Sequence, residues 1–354
     1  MKLYFALFTM FFILISCSKA DDESVQQQPP FVIKAVDGSF IPQVRLSGMV
    51  TKNSAGQPED MLTTLKSSGV NTIRIRLWKD PADGHSGFNE VKQFAQEVRN
   101  SGMKVWLTVH YSDTWADPGN QQPPAAWVGQ SYEQLKTSVY NYTKQIVTGI
   151  NPDYIQIGNE INKGFLWPQG SYTNPTQLAG LLQEGIRAVR EESETAKIMI
   201  HYAGHEEAAT FYSNFTTLDY DIIALSYYPT WHGHHLNALQ DNINSLAMEF
   251  DKDVVIAETS YPFTLGWNDW TNNVIGSNDQ ILPQYPATPQ GQKEYLAKIR
   301  EIATNSPRAI GFCYWGGEWI SFNGSEATNG SSYENQALWD FNNQALPATQ
   351  VFLN

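Results

Sequence analysis

Eight short runs of β-branched and aromatic residues alternate with amphipathic stretches along this chain, and that alternation limits the possible folds more than any other feature. The runs are FVIKAVD, VNTIRIRLW, KVWLTVHY, DYIQIGNE, KIMIHYA, DIIALSYYP, DVVIAETSYP and AIGFCYWGG. Between them, apolar spacing predicts helices over residues 58–68, 89–101, 132–150, 175–192, 236–250 and 289–304. Nearly all the runs are apolar on both faces, as parallel strands covered by helices must be.

The pattern therefore predicts an α/β fold consisting of a single (β/α)8 TIM barrel, with long βα loops that form a groove. A doubly wound open sheet is the alternative. No Gly-rich phosphate-binding fingerprint follows the first strand, which counts against a nucleotide-binding version of that sheet.

Polar or aromatic residues stand at the carboxyl end of every predicted strand, where a barrel of this kind forms its active site. In strand order they are Asp37, Arg74 and Arg76, His110, Asn159 and Glu160, His201, Tyr227 and Tyr228, Glu258, and Trp315. A purely structural protein has no reason to collect such side chains at one end of the barrel. The sequence therefore predicts a functional site at this mouth.

Two of these residues, Glu160 and Glu258, are 98 positions apart, which corresponds to about three βα units of ~33 residues and places them on strands four and seven. Facing carboxylates suggest glycoside hydrolysis, in which one acid protonates the leaving oxygen and the other carboxylate acts on the opposite face of the sugar. The structural alternatives are a helix cap or a pair with Lys163 for Glu160, and a strand-end ion pair for Glu258.

Asn159 and Glu160 are neighbours, and neighbours in a regular strand point to opposite faces. Both can reach the site only through a bulge or sharp turn, so we expect an irregular end to the fourth strand. In the second strand, Arg74 or Arg76 could hold a carboxylate ionised, or could close the barrel base through a buried pair. The loop over residues 110–127 is too long for a simple connector, and it predicts a binding wall that includes His110, Asp113 and Trp115.

The N-terminus, MKLYFALFTMFFILISC, has an apolar run too short to span a bilayer comfortably, which predicts an export signal. Its LISC residues resemble a bacterial lipobox, which implies cleavage before Cys17 and acylation of that residue; a secretory signal with an incidental cysteine is the alternative. We therefore expect a signal peptide over 1–16, a flexible tether over 17–30 and one catalytic domain over 31–354. The acidic residues just after Cys17 favour an outer-membrane lipoprotein exposed at the cell surface.

Composition narrows the range of partners. The net charge is −13 and no Lys/Arg cluster appears, which argues against nucleic acid. The 11 Trp, 17 Tyr and 17 Phe residues suggest a site for a ligand with an apolar face, such as a sugar. If Cys17 is lipidated, Cys313 is the remaining thiol and no intrachain disulfide can form. We expect a monomer.

Metal sites receive weak support. His232, His234 and His235 are close together, but no further ligand has convincing spacing. Oxygens of Asp269 and Asn273 in WNDWTNN are the better candidates, for a structural calcium ion, although they lack EF-hand spacing.

Six blocks in order resemble glycoside hydrolase family 53, the endo-β-1,4-galactanases of clan A: NTIRIRLW, HYSDTWADPG, IQIGNEINKGFLWPQG, KIMIH, IALSYYPTWHG and VVIAETSYP. The resemblance spans roughly residues 31 to 345. It implies retaining, endo-acting hydrolysis of β-1,4-galactan, the side chain of type I arabinogalactan in pectin, with no required cofactor.

By position, the resemblance makes Glu160 the acid/base and Glu258 the nucleophile. Trp315 would form the floor of the cleaved-sugar subsite with Asp37 and Trp231 near it, and the segment containing Trp167 would be a further binding wall. The surrounding residues would be Arg74, His110, Asn159, His201 and Tyr228 or Tyr227.

Two segments depart from the family pattern. Where some members have a glutamate after the eighth-strand Trp, this chain has WGGEW, so Gly316 leaves that role empty or passes it to Glu318. The Asp-rich calcium segment of bacterial relatives is only partly matched by GWNDWTNN. Another clan A endo-glycanase acting on xylan, mannan or glucan is the main alternative function, and a non-catalytic surface glycan-binding lipoprotein is a third.

Overall fold

The computed structural model describes residues 33–353, in which eight parallel strands close into a barrel in chain order. The strands are β1 Ile33–Asp37, β2 Thr72–Leu77, β3 Lys104–Val109, β4 Tyr154–Ile157, β5 Lys197–Ala203, β6 Ile222–Ser226, β7 Asp253–Thr259 and β8 Ala309–Tyr314. Because β8 pairs with β1 from Ile33↔Gly311 to Val36↔Tyr314, the sheet has no open edge. The barrel prediction is confirmed and the open-sheet alternative is wrong. The signal peptide, Cys17 and the tether lie outside the described residues.

Helices surround the barrel. The six predicted ones are all present, with bounds within three residues of those expected, and three short helices over 41–46, 208–212 and 229–232 were not predicted. In chain order, the helices are α1 Ile41–Leu46, α2 Met61–Ser67, α3 Phe88–Asn100, α4 Tyr132–Ile150, α5 Pro175–Glu192, α6 Ala208–Tyr212, α7 Pro229–His232, α8 Leu236–Phe250 and α9 Pro289–Asn305. The second helix starts three residues later than predicted, since the Asp60 side chain accepts the Leu62 N–H and caps it there. Within residues 33–353, no helix has the length and apolarity needed to cross a membrane.

The alternation of side chains along each strand divides the barrel interior into two parts. An apolar cluster fills the deeper part: Ile33, Ala35, Trp106, Tyr154, Met199, Ile222, Ala224, Val255, Ala257, Ile310 and Cys313. Two residues further along several of these strands, the inward side chains become polar, as at Asp37, His201 and Ser226. The packed interior thus supports a polar layer at the carboxyl ends of the strands.

Candidate active site

The end of β4 turns sharply, as the sequence predicted. The strand ends at Ile157, after which Gly158 has φ +87° and Glu160 has φ +48°. A Cβ at position 158 would lie 2.6 Å from Cγ2 of Ile161, so glycine fits there and a larger residue would not. Left-handed backbone at a non-glycine residue such as Glu160 is strained and is common at functional sites. This turn allows Asn159 and Glu160 both to line the barrel mouth.

A bulge in β7 brings the second glutamate to the same place. Leu225 pairs with Ile256, but Ser226 pairs with Glu258, so β7 contains one extra residue. Ala257 still packs in the apolar cluster, and Glu258 lines the mouth. Neither irregularity follows from a hydrophobic pattern alone.

The two glutamates face each other closely. One carboxylate oxygen each of Glu160 and Glu258, together with a ring nitrogen of His201, lie within 4.8 Å of one another. This spacing suits the ~5–5.5 Å carboxyl separation at which one carboxylate can attack the sugar directly, and is too short for the ~6.5–9.5 Å that accommodates an intervening water.

Glu258 is held by a cation and a hydroxyl. Its Oε1 lies 2.6 Å from Nη2 of Arg74, and its Oε2 accepts a hydrogen bond of 2.9 Å from the Tyr228 hydroxyl. Arg74 is 1% exposed and also pairs with Asp37 at 2.8 Å and with Asn159 Oδ1 at 3.0 Å. Burial raises the pKa of Glu258, while Arg74 and Tyr228 act to lower it. No equivalent cation contacts Glu160 among the described ion pairs.

Glu160 has a different environment. Its Oε1 accepts a 2.5 Å hydrogen bond from the Ser226 hydroxyl, and its backbone N–H donates to Nδ1 of His201 at 3.3 Å. Burial and the negative charge of Glu258 raise the pKa of Glu160 to about 8. When the two carboxyls share one proton, that proton therefore belongs on Glu160.

His201 supports this arrangement in its neutral form. Burial, followed by the charge of Arg74, lowers its pKa well below the usual range. With its proton on Nε2, the ring donates to Ser226 Oγ at 2.9 Å, and Nδ1 is free to accept the Glu160 N–H. The ring thereby orients the hydroxyl that Ser226 presents to Glu160.

A cavity of about 520 Å³ opens over the carboxylates. Its aromatic lining includes Trp115, Tyr228, Trp231, Trp315, Trp319 and Tyr333. Aromatic faces suit the C–H face of a sugar, while the carboxylates, Arg76, His110 and Asn159 offer hydrogen bonds. The size and lining fit one or more sugar rings.

Comparison with known proteins agrees with this geometry. The model for Glycosyl hydrolase family 53 matches residues 33–352, nearly the whole described chain. This chain belongs to glycosyl hydrolase family 53. The resemblance predicted from the sequence is thus confirmed, and family 53 membership shows that the barrel is that of a glycoside hydrolase.

Individual members of family 53 cover most of the chain. The Endo-beta-1,4-galactanase of Bacillus subtilis (strain 168) is 35% identical over 370 residues, 90% of this chain and 85% of the relative. The Arabinogalactan endo-beta-1,4-galactanase of Cellvibrio japonicus (strain Ueda107) is 32% identical over 349 residues, 93% and 92% of the two chains. Among solved structures, the Ignisphaera aggregans GH53 catalytic domain has a TM-score of 0.87 at 37% identity, with 92% of this chain and 96% of that chain covered.

The structure brings most of the predicted site residues of this family 53 chain together. Those that line the cavity are Arg74, His110, Trp115, Asn159, Glu160, Tyr228, Trp231, Glu258 and Trp315. Asp37 and His201 lie behind this lining, where they contact Arg74 and Ser226 respectively.

Three predicted binding residues, Tyr227, Asp113 and Trp167, do not line the cavity. Tyr227 points away from the mouth and donates to the Gly233 carbonyl at 2.7 Å, because alternate residues of a strand face opposite sides. Asp113 accepts the Asp80 N–H from the loop after β2 and the Ala125 N–H from its own loop, and so ties the two loops together. The Trp167 indole N–H donates to the Lys163 carbonyl at 2.9 Å.

Sequence reasoning missed three contributors to the site: Ser226, Trp319 and Tyr333. Ser226 could have been identified from the sequence, because alternate residues of a strand face the same side and Ser226 alternates with the inward-facing Ala224 and Tyr228. Arg76, already noted in β2, turns into the cavity instead of closing the barrel base, and its guanidinium lies 4.1 Å from the Trp115 ring centroid. Trp319 and Tyr333 come from the long segment after β8, where no periodicity marks orientation.

The residues considered as metal ligands do not lie together in one site. The one cluster of three or more ligand-type side chains in residues 33–353 is Glu160, His201 and Glu258, the hydrolytic pair and its neighbour. His232 lines the cavity, while His234 and His235 are exposed.

The calcium candidates lie on the loop after β7. Both oxygens of Asp269 are engaged, Oδ1 by the Thr271 N–H at 2.7 Å and Oδ2 by the Ser321 hydroxyl at 2.8 Å. Asn273 Oδ1 is buried and has no hydrogen-bond partner within the described residues. Calcium here stays a prediction.

Proposed function

We propose that this family 53 chain is a retaining endo-β-1,4-galactanase that hydrolyses the galactan side chains of pectin. The observation that carries the mechanism is the pair of glutamates within 4.8 Å, one clamped by Arg74 and Tyr228 and the other with its pKa raised to about 8. The substrate assignment draws support from the names of the Bacillus subtilis and Cellvibrio japonicus relatives.

The first step uses the proton on Glu160 and the charge on Glu258. The Glu258 carboxylate attacks the anomeric carbon while Glu160 gives its proton to the departing glycosidic oxygen, which leaves as a sugar hydroxyl. The bond that forms is an ester between Glu258 and the sugar. In the second step, ionised Glu160 removes a proton from water, the water oxygen attacks the same carbon, and the Glu258 carboxylate departs.

The surrounding residues prepare these two steps. Arg74 favours the ionised form of Glu258 and binds its Oε1, while the Tyr228 hydroxyl binds Oε2. Asn159 is itself fixed, because its side chain donates to the Ala116 carbonyl at 2.9 Å and accepts from Arg74. Its position next to the glutamate pair suits a contact with the sugar at the cleavage site, and Trp315 offers that sugar an aromatic face.

The substrate is tested by reducing-sugar release from pectic galactan, arabinan, xylan, mannan and mixed-linkage glucan. We expect activity on galactan, loss of activity in Glu258→Ala and Glu160→Ala, and full activity in Glu249→Ala, which removes an exposed carboxylate on α8. Activity on another glycan alone would contradict the assignment of galactan as the substrate but would remain consistent with the two-glutamate mechanism. Galactan binding without hydrolysis of any polymer would contradict both.

Azide rescue distinguishes the two roles. In Glu258→Ala, azide should attack from the face that the carboxylate vacated, and an activated β-galactoside should yield the α-galactosyl azide. In Glu160→Ala, azide should attack the Glu258 ester instead and yield the β-galactosyl azide. Exchange of these two products between the variants would reverse the assignment.

For the reaction itself we propose no cofactor, because the glutamates supply both nucleophile and proton. A calcium ion near Asp269 and Asn273 would be structural and would compete with the hydrogen bonds that Asp269 already accepts. Thermal unfolding with excess calcium and with EDTA tests this: a higher melting temperature with calcium, abolished in Asp269→Asn, supports the ion, and identical curves exclude it.

We also propose that the protein is a monomeric lipoprotein anchored to the outer membrane through Cys17. The support is the LISC sequence, the apolar segment before it and the polar residues that follow it. Replacement of Cys17 by Ala should release the protein from the membrane fraction, and protease treatment of whole cells should digest the wild type if it faces outward. Light scattering of a chain that begins at residue 31 should give a monomer mass.

A further inference from the structure

The loop after β7 exposes two tryptophans that the proposed mechanism does not use. Trp267 is 51% exposed and Trp270 is 61% exposed. Another exposed tryptophan, Trp231, lines the cavity. The other large hydrophobic residues that are exposed in residues 33–353 are aliphatic and scattered: Leu46, Val50, Val128, Met248 and Leu353.

The backbone beneath the two indoles is firmly held. The N–H groups of Asn268 and Asp269 donate to Glu334 Oε1 at 2.6 and 3.3 Å, and the Trp270 N–H donates to the Ala327 carbonyl at 2.9 Å. Asp269 itself is 3% exposed. The chain thus buries a polar residue between two exposed aromatic ones, the reverse of the usual pattern, on a loop with its backbone fixed.

The anchors of this loop adjoin residues that line the cavity. Glu334, which accepts the loop N–H groups, follows Tyr333, and Ser321, which donates to Asp269, is two residues from Trp319. Consecutive Cα atoms are about 3.8 Å apart, so the two surfaces are separated by a short stretch of the segment after β8. The loop is therefore anchored on the same segment that carries Trp319 and Tyr333 into the cavity lining.

The chemistry of the surface favours a neutral glycan. An indole face offers a sugar ring broad apolar contact at low entropic cost. The net charge of −13 disfavours an anionic lipid surface or the acidic backbone of pectin. We propose that Trp267 and Trp270 form a second galactan-contacting surface, outside the catalytic cavity, that retains the polymer between cleavages. This inference rests on the proposed galactan substrate.

The test compares polymer binding with turnover of a short substrate. In an inactive Glu258→Gln background, affinity electrophoresis in galactan gels should show an apparent Kd about 5- to 30-fold weaker for Trp267→Ala/Trp270→Ala. In the active enzyme, the same pair of changes should raise KM for long galactan and leave kcat/KM for galactotetraose unchanged. Met248→Ala/Val128→Ala, which removes exposed apolar side chains elsewhere, should change neither, and melting temperatures check that all variants fold.

Each other outcome has a definite meaning. Unchanged galactan affinity in the Trp267→Ala/Trp270→Ala variant would overturn the proposal of a second galactan-contacting surface. An equal loss of kcat/KM on galactotetraose would also overturn it, because the indoles would then act within the cavity. If the double variant loses binding to phosphatidylcholine/phosphatidylglycerol vesicles but keeps its galactan affinity, the two tryptophans contact lipid, and the proposal is overturned as well. If the wild type hydrolyses no galactan, the proposed function fails, while tryptophan-dependent retention in the gel would still support the surface.

Discussion

Replacement of Ser226 by Ala should move the alkaline side of the pH profile to higher pH. The Ser226 hydroxyl donates to Glu160 Oε1 at 2.5 Å and has 0% exposure. This bond stabilises the ionised carboxylate, so its loss should raise the pKa of Glu160 beyond its present, already elevated value. A hydrogen bond to a charged group contributes about 1.5–3 kcal/mol. Since one pKa unit corresponds to about 1.36 kcal/mol, the expected rise is about 1–2 units.

The sign follows from the role of Glu160 as acid. The proton must be present on Glu160 for the first step, so kcat/KM falls as pH rises through its pKa, and a higher pKa extends activity to higher pH. The acidic side, set by ionisation of Glu258, should stay in place because Ser226 does not contact that residue. The assay is kcat/KM on galactan from pH 4 to 10 for the wild type and Ser226→Ala.

A matched control is Ser260→Ala. Ser260 is another buried serine, and its hydroxyl donates to Gln336 Oε1 at 2.8 Å without contacting either glutamate. The alkaline limb of the pH profile of Ser260→Ala should coincide with that of the wild type. If the alkaline limb of the Ser226→Ala pH profile stays in place or moves to lower pH, Glu160 is not the group that sets this limb.

Three further predictions follow from the same contacts. Arg74→Met should raise the pKa of Glu258, move the acidic side of the profile to higher pH, and destabilise the fold by about 3–5 kcal/mol in urea unfolding, since Asp37 and Glu258 lose their partner. Tyr228→Phe removes the 2.9 Å bond to Glu258 and should lower kcat/KM about 10- to 100-fold with little change in melting temperature. Glu160→Gln should melt at a higher temperature than the wild type at pH 8 and not at pH 4, because the raised pKa of Glu160 makes wild-type stability fall as pH rises from its ordinary value toward about 8.

The sequence predicted the barrel and the glutamate pair because both depend on regular features. Strand and helix periods define eight βα units, and chain order then places Glu160 and Glu258 on β4 and β7. The irregular end of β4 was predictable, since two adjacent polar residues could reach one site in no other way. The β7 bulge was not, because no such conflict is visible around Glu258.

The predicted residues that lie outside the cavity, and the cavity residues that were not predicted, have orientations that depend on tertiary contacts. Strand parity extended from Ser226 separates Tyr228, which faces the cavity, from Tyr227, which does not. Asp113 is a residue type that often binds sugars, yet two backbone N–H groups, one from the loop after β2 and one from its own loop, occupy both its oxygens. Tyr333 belongs to a segment of irregular structure after β8, where only packing decides what faces the cavity.

The charges around the glutamates explain why two chemically identical side chains can take opposite roles. Arg74 and Arg76 bring two positive charges into the mouth, and the salt-bridged Asp37 and Glu258 balance them. Burial, followed by the negative charge of Asp37, raises the pKa of Glu318 well above its usual range, which favours the neutral form of this fully buried carboxyl.

With Glu318 neutral and Glu160 protonated, the buried charges of Arg74, Arg76, Asp37 and Glu258 cancel. Ionisation of Glu160 would add a negative charge to this poorly solvated site, near the exposed Asp117 that also lines the cavity. When Glu258 forms its ester with the sugar, its carboxylate loses its negative charge, so the site loses one negative charge. Ionised Glu160 then restores the balance, so the first chemical step itself converts Glu160 from the favoured acid into the favoured base.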